Sequence, residues 1–218
     1  SKVVSVELDR SLLPVLEETL AGLDNVEVLC GDILKLDIGA LADEKFPGLT
    51  PMACANLPYN ITTPVLTLLL ESGLFASITV MIQREVAQRI CAAPGTGDYG
   101  AFSVFCQYHA GTELLFEVPP ECFLPAPKVT SAVLRLTPRP APACVHDEKR
   151  FFRVVRGAFG QRRKTLSNAL TNGLGAYNRE EVNAALESAG VSVQARGETL
   201  GIEEFAAISD ALSALKAM

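Results

Sequence analysis

Short apolar or valine-rich runs alternate with segments of helical spacing in this chain, and the alternation stops at a proline cluster. Residues 2–8 alternate and are rich in valine, 26–30 and 52–55 are short apolar runs, and 78–82 is apolar almost throughout. Each reads as a strand. Between them, 11–23 places Leu12, Leu16 and Leu20 on one face, and 63–71 and 84–91 also have helical spacing. A Gly/Pro loop at 94–100 precedes a helix at 102–109, and 112–118 with 129–137 reads as a closing antiparallel pair. This order dictates an α/β doubly wound sheet. Pro138-Arg-Pro-Ala-Pro142 is a stiff linker. Beyond it every segment is helical: 147–159, 164–174, 179–189 and 202–216. We therefore expect an α/β domain over residues 1–138 and a small all-helical domain over 143–218.

A chain of 218 residues, 49% of them apolar, can bury a core for both. No stretch reaches the roughly 18 uninterrupted apolar residues of a membrane span; 61–82 is broken by Pro64, Glu71 and Gly73. Glu7, Asp9 and Arg10 interrupt any signal-like apolar start. The six cysteines contain no C-x-x-C pair and there are two histidines. Four of the cysteines lie in apolar segments and are expected to be buried, with all six reduced and no metal site. A soluble cytoplasmic protein is the resulting expectation.

The net charge of −6 argues against a nucleic-acid partner until its distribution is considered. From His146 to Leu170, seven basic side chains stand against Asp147 and Glu148, leaving +5 there and −11 on the rest of the chain. Phe151, Phe152, Val155, Ala158 and Phe159 fall on one face of this helix, while Arg150, Arg153 and Arg156 project from the other. Arg162, Arg163 and Lys164 continue the stripe. A solvated helix face explains most charge runs; this longer stripe suits RNA phosphates.

In a doubly wound sheet, ligands bind at the carboxyl ends of the strands. Three groups fall there. Glu7 ends the first strand, where a carboxylate can accept from both hydroxyls of a ribose; in isolation such a residue is more often solvated. Asp32 follows the second strand, where it can accept from the exocyclic amine of an adenine or simply cap a turn. Asn56-Leu57-Pro58-Tyr59 follows the third. The Asn56 side-chain carbonyl and a backbone carbonyl near Leu57 can hold both hydrogens of an exocyclic amine, Pro58 stiffens the turn, and Tyr59 can stack on a base. The bland alternative is an ordinary strand-to-helix turn.

Asn56-Leu-Pro-Tyr-Asn-Ile-Thr-Thr-Pro64 resembles the fourth motif of the KsgA-type small-subunit rRNA adenine dimethyltransferases. Met81-Ile-Gln-Arg-Glu-Val-Ala-Gln-Arg89, Asp98-Tyr-Gly100, the run from Phe123 to Val133 and Phe159-Gly-Gln-Arg-Arg-Lys-Thr-Leu166 are similar to that family in order and spacing. The resemblance implies a Rossmann-like class I methyltransferase sheet and S-adenosylmethionine as cofactor. It also implies dimethylation of two adjacent adenosines near the 3′ end of 16S rRNA, by a monomer with no metal and no membrane contact. It assigns Glu7 to the cofactor ribose, Asp32 to its adenine, and Asn56 to the methyl donor and target amine. Leu57 falls in the same motif, Tyr59 stacks on the target adenine, and Phe123 is a second aromatic wall. Arg150, Arg153, Arg156, Arg162, Arg163 and Lys164 are the expected RNA contacts.

The family also carries a strand and a Gly-x-Gly loop ahead of the residue matching Glu7. No G-x-G precedes Glu7 here, so the first strand reads as missing and weak cofactor binding is expected of the chain as given. Three rivals remain: a large-subunit dimethylase of the erythromycin-resistance type, a non-catalytic ribosome assembly factor, and a DNA or protein-glutamine methylase. The last usually carries Asn-Pro-Pro-Tyr.

Overall fold

A computed structural model describes residues 1–217, which form two compact units, Ser1–Ile82 and Gln83–Met218. In the first, β1 (Val3–Glu7) and β2 (Val26–Cys30) form a two-stranded parallel sheet joined through α1 (Leu13–Thr19). Helix α2 (Ile38–Lys45) leads to β3 (Met52–Asn56), and α3 (Thr62–Glu71) connects β3 to β4 (Ser77–Gln83), again parallel. β4 alternates strictly, with Ile78, Val80 and Ile82 buried. Val65, Leu66, Leu69 and Leu70 of α3 are also buried, at the i, i+1, i+4, i+5 spacing of one helical face. Pro64 sits in the first turn of α3, where it removes no helical bond, and Gly73 at φ +64° follows the last.

The second unit opens with α4 (Arg84–Cys91) and α5 (Ala101–His109), followed by the antiparallel hairpin β5 (Ala110–Val118) and β6 (Ser131–Pro138). Four helices complete it: α6 (Glu148–Phe159), α7 (Leu166–Leu174), α8 (Arg179–Ser188) and α9 (Ile202–Ala217). Phe151, Val154, Val155 and Ala158 of α6 enter a core shared with Leu166 and Leu170 of α7, Val182 and Leu186 of α8, and Phe205 and Ile208 of α9. Tyr99 and the α5 residues Val104 and Tyr108 belong to the same core.

Helix ends are set locally. The Asp147 carboxylate accepts the Arg150 N–H at 2.9 Å to start α6. Asn178 and Glu181 form a reciprocal capping box on α8, and Gly175 at φ +62° ends α7. Helices α6 and α7 meet at a glycine pair, where a Cβ on Gly173 would lie 2.7 Å from Gly157 Cα.

The expected strands and helices are all present, with β2 and α4 matching at both ends and no end shifted by more than four residues. Helix α2 was not expected. Its inward face is short, carried by Ile38, Leu41 and Ala42 at i, i+3, i+4, while Ala40 is exposed, and its start is set by Asp37, whose carboxylate accepts the Ala40 N–H at 3.0 Å. The cysteine expectation needs correction. All six are free, but of these only Cys106 is buried, and Cys30 and Cys54 are exposed. Cys54 shares with Met52 and Asn56 the exposed face of β3, so an apolar run did not ensure burial.

Candidate active site

The three strand ends of the first unit carry the residues singled out above. Glu7 closes β1 opposite Cys30, and its backbone carbonyl accepts the Gly31 N–H at 2.9 Å, so Glu7 and Gly31-Asp32 lie at the same end of the pair. Glu7 is half-buried. Its Oε1 accepts the Asp9 N–H at 2.7 Å, and its Oε2 has no hydrogen-bonding partner among the described residues. Asp9 in turn accepts from the hydroxyl of Ser11 at 2.6 Å and from its N–H at 2.9 Å. These two bonds hold the Asp9 carboxyl below its ordinary value. The Asp-x-Ser turn that follows Glu7 thus fixes the chain just beyond that carboxylate, a role the sequence reading missed although Asp9-Arg10-Ser11 carried the signal.

Asp32 performs the capping task weighed against its ligand role. Its Oδ1 accepts the Leu34 N–H at 3.0 Å, and its Oδ2 lies 3.8 Å from the exposed Lys35 ammonium. The carboxylate remains partly accessible beside the end of β2.

At the end of β3, Asn56 pairs in register with Met81, and the Leu57 N–H donates to the Met81 carbonyl at 3.1 Å. The ladder therefore holds the backbone on both sides of the Asn56 side chain. Leu57 is buried, whereas Asn56 is exposed and its amide has no partner among the described residues. Pro58 takes φ −56°, ψ 133°, turning the chain out of the strand. Its carbonyl then accepts the Ile61 N–H at 3.1 Å and the Thr62 hydroxyl at 3.4 Å. Half-buried Tyr59 begins the single 3-10 turn that runs into α3. An amide oxygen on a rigid strand end, next to an aromatic ring, suits an exocyclic amine and the base that bears it.

Phe123 lies in the second unit, half-buried in the loop 119–130 between β5 and β6. The six basic residues also lie there, and they divide into two groups. Arg153, Arg156, Arg163 and Lys164 are exposed, and their side chains make no hydrogen bond or ion pair among the described residues. Arg150 instead pairs with the capping Asp147 at 3.2 Å. Arg162 donates to the carbonyls of Gly97 at 2.7 Å and Tyr99 at 3.2 Å, and lies 3.7 Å from Glu198. Among the described residues, no group of three metal-ligating side chains converges and no helix is long and apolar enough to cross a membrane.

A family model for ribosomal RNA adenine dimethylase matches residues 1–213. The chain is 46% identical to the ribosomal RNA small subunit methyltransferase A of Alkaliphilus metalliredigens, over 98% of this chain and 75% of that protein. It is 47% identical to the protein of the same name from Bacillus cytotoxicus, over 97% and 74%. Among solved structures, a dimethyladenosine transferase from Plasmodium falciparum shares the fold with a TM-score of 0.77 at 23% identity, over 95% of this chain and 80% of that one. The 23S rRNA methyltransferase ErmE is similar with a TM-score of 0.69 at 28% identity, over 97% and 82%.

Proposed function

The chain belongs to the ribosomal RNA adenine dimethylase family, and we propose that it methylates N6 of two adjacent adenosines near the 3′ end of small-subunit (16S) rRNA, with S-adenosylmethionine as donor. One observation carries the catalytic part of this reading. The Asn56 amide is exposed and has no partner among the described residues, on a backbone held by the Leu57–Met81 bond and turned by Pro58.

The acceptors at the ends of β1 and β2 fit the nucleoside part of that cofactor. Glu7 keeps one carboxylate oxygen for a ribose diol, and Asp32 offers a partly accessible acceptor to an adenine amine. When bound, the cofactor supplies an electrophilic methyl carbon on a sulfonium centre.

The target amine is a poor nucleophile because its lone pair is delocalised into the adenine ring. The Asn56 Oδ1 and the Leu57 carbonyl accept its two hydrogens and draw the nitrogen towards tetrahedral geometry, which frees the lone pair. Tyr59 stacks on a base turned out of its helix, and Phe123 adds a second aromatic contact on the strength of its motif. Solvent takes the released proton.

In this reading residues 1–138 perform the chemistry and 143–218 bind RNA. Arg153, Arg156, Arg163 and Lys164 meet phosphates, and Arg150, paired with the capping Asp147, and Arg162, bonded to the Gly97 and Tyr99 carbonyls, complete the same basic stripe. The enzyme acts in the cytoplasm as a monomer on ribosomal subunits.

The likeness to a 23S enzyme makes the large subunit the rival substrate. The full-length gene product, given a methyl-labelled donor, is offered undermethylated 30S subunits, 50S subunits and DNA, and the nucleosides are then identified. N6,N6-dimethyladenosine in the 30S sample alone is the expected result. Label confined to 50S subunits or to DNA would overturn the substrate.

A further inference from the structure

The loop that carries Phe123 leaves β5 and returns into β6 beside one residue. Val118 and Ser131 are the last register pair of the hairpin, so 119–130 begins just past Val118, the neighbour of Glu117, and ends at Thr130. Arg84, the first residue of α4, bonds at both places. Its N–H donates to the Thr130 carbonyl at 3.0 Å, and its Nη1 lies 3.4 Å from the Glu117 Oε2. Within the loop, Pro119, Pro120, Pro125 and Pro127 restrict the backbone, and the Phe123 N–H donates to the Pro120 carbonyl at 3.1 Å. A stiff loop transmits the placement of its ends to the ring it carries.

Stability does not explain the arrangement. The Arg84–Glu117 pair is about half exposed, where an ion pair contributes little. Meanwhile Arg84 Nε is buried without an acceptor among the described residues, which is itself a cost.

We propose that Arg84 is a positioning residue for the methyl-transfer reaction: it joins the two ends of the 119–130 loop and thereby fixes the backbone that carries Phe123. This rests on the reading of Phe123 as a base contact. Arg84→Gln keeps the backbone bond and breaks the ion pair. In the full-length gene product it should lower kcat/KM for the rRNA substrate by about 10- to 100-fold, the range expected when a contact group is misplaced. The KM for S-adenosylmethionine and the melting temperature should stay unchanged. Glu117→Gln should reproduce the loss without touching Arg84, and Arg84→Lys should restore part of it.

The deciding readout is the double mutant. In a Phe123→Ala background, Arg84→Gln should cost nothing further, because the ring it positions is gone. Multiplying losses, or a neutral Arg84→Gln beside a damaging Phe123→Ala, would overturn the role of Arg84 alone. A neutral Phe123→Ala would overturn both that role and the base contact beneath it.

Discussion

The first strand pair and the helical core of the second unit differ in how they hold their functional groups. None of residues 1–37 is buried, and α1 has no buried side chain at all. In contrast, α6 buries Phe151, Val154, Val155, Gly157 and Ala158 along a single helix. Glu7 and Asp32 therefore stand on backbone placed by ladder bonds and short capping turns. The basic side chains of α6 stand on a helix anchored by packing. A region with few buried apolar contacts opens locally at low free energy, whereas one anchored in the core opens only with the unit. The difference teaches that the proposed cofactor end is ordered by hydrogen bonds and the proposed RNA surface by hydrophobic burial.

Truncation should expose this difference most sharply. Phe151→Ala removes a ring with no exposed surface and should destabilise the protein by about 3–5 kcal/mol. Val15→Ala, at a residue 53% exposed in α1, should stay within about 0.5 kcal/mol. Denaturant unfolding of both variants checks this, and equal losses would break the comparison.

Gly173→Ala is the next largest expected effect. Its Cβ meets backbone rather than a movable side chain, so α6 and α7 must separate, at a cost of about 1–3 kcal/mol in the same assay.

Replacing Arg153, Arg156 and Arg163 together with alanine should spare stability and reduce the slope of log affinity for 30S subunits against log salt by about 2–3. An unchanged slope would reduce these residues to a solvated face.

The smallest effect is a pH dependence. Burial, with Glu204 adding to it, pushes the Tyr99 hydroxyl up to about 12. The folded chain thus holds that proton more tightly than the unfolded one, whose tyrosines titrate near 10. The stabilisation is complete below about pH 10 and is lost as pH rises through about 12. Tyr99→Phe should flatten this alkaline decline in the denaturant midpoint.

Much of the fold was legible because its signals are local. A continuous apolar run marked β4, and the spacing of Phe151, Val155 and Ala158 marked α6. Helix α2 escaped because it is only eight residues long and its inward face is limited to Ile38, Leu41 and Ala42, too short a repeat to stand out beside the Asp37 cap. The Asn56–Tyr59 turn was legible because its four residues are consecutive and its position after a strand is itself a local property. The bonds of Arg162 to the Gly97 and Tyr99 carbonyls were not, because they join residues more than sixty positions apart in the chain. The membership of Tyr99, Val104 and Tyr108 in the helical core was hidden for the same reason, since periodicity names a buried face but not what covers it.

The account stands on Asn56, exposed at the end of β3 with its amide unengaged among the described residues. Single-turnover methylation of undermethylated 30S subunits by full-length Asn56→Ala, beside the unmodified enzyme, tests it most directly. Loss of one positioned contact to the reacting group should raise the barrier by about 2.7–4 kcal/mol, roughly a 100- to 1,000-fold slower transfer, with the melting temperature unchanged. A well-folded Asn56→Ala enzyme that transfers methyl groups at the normal single-turnover rate would contradict the account.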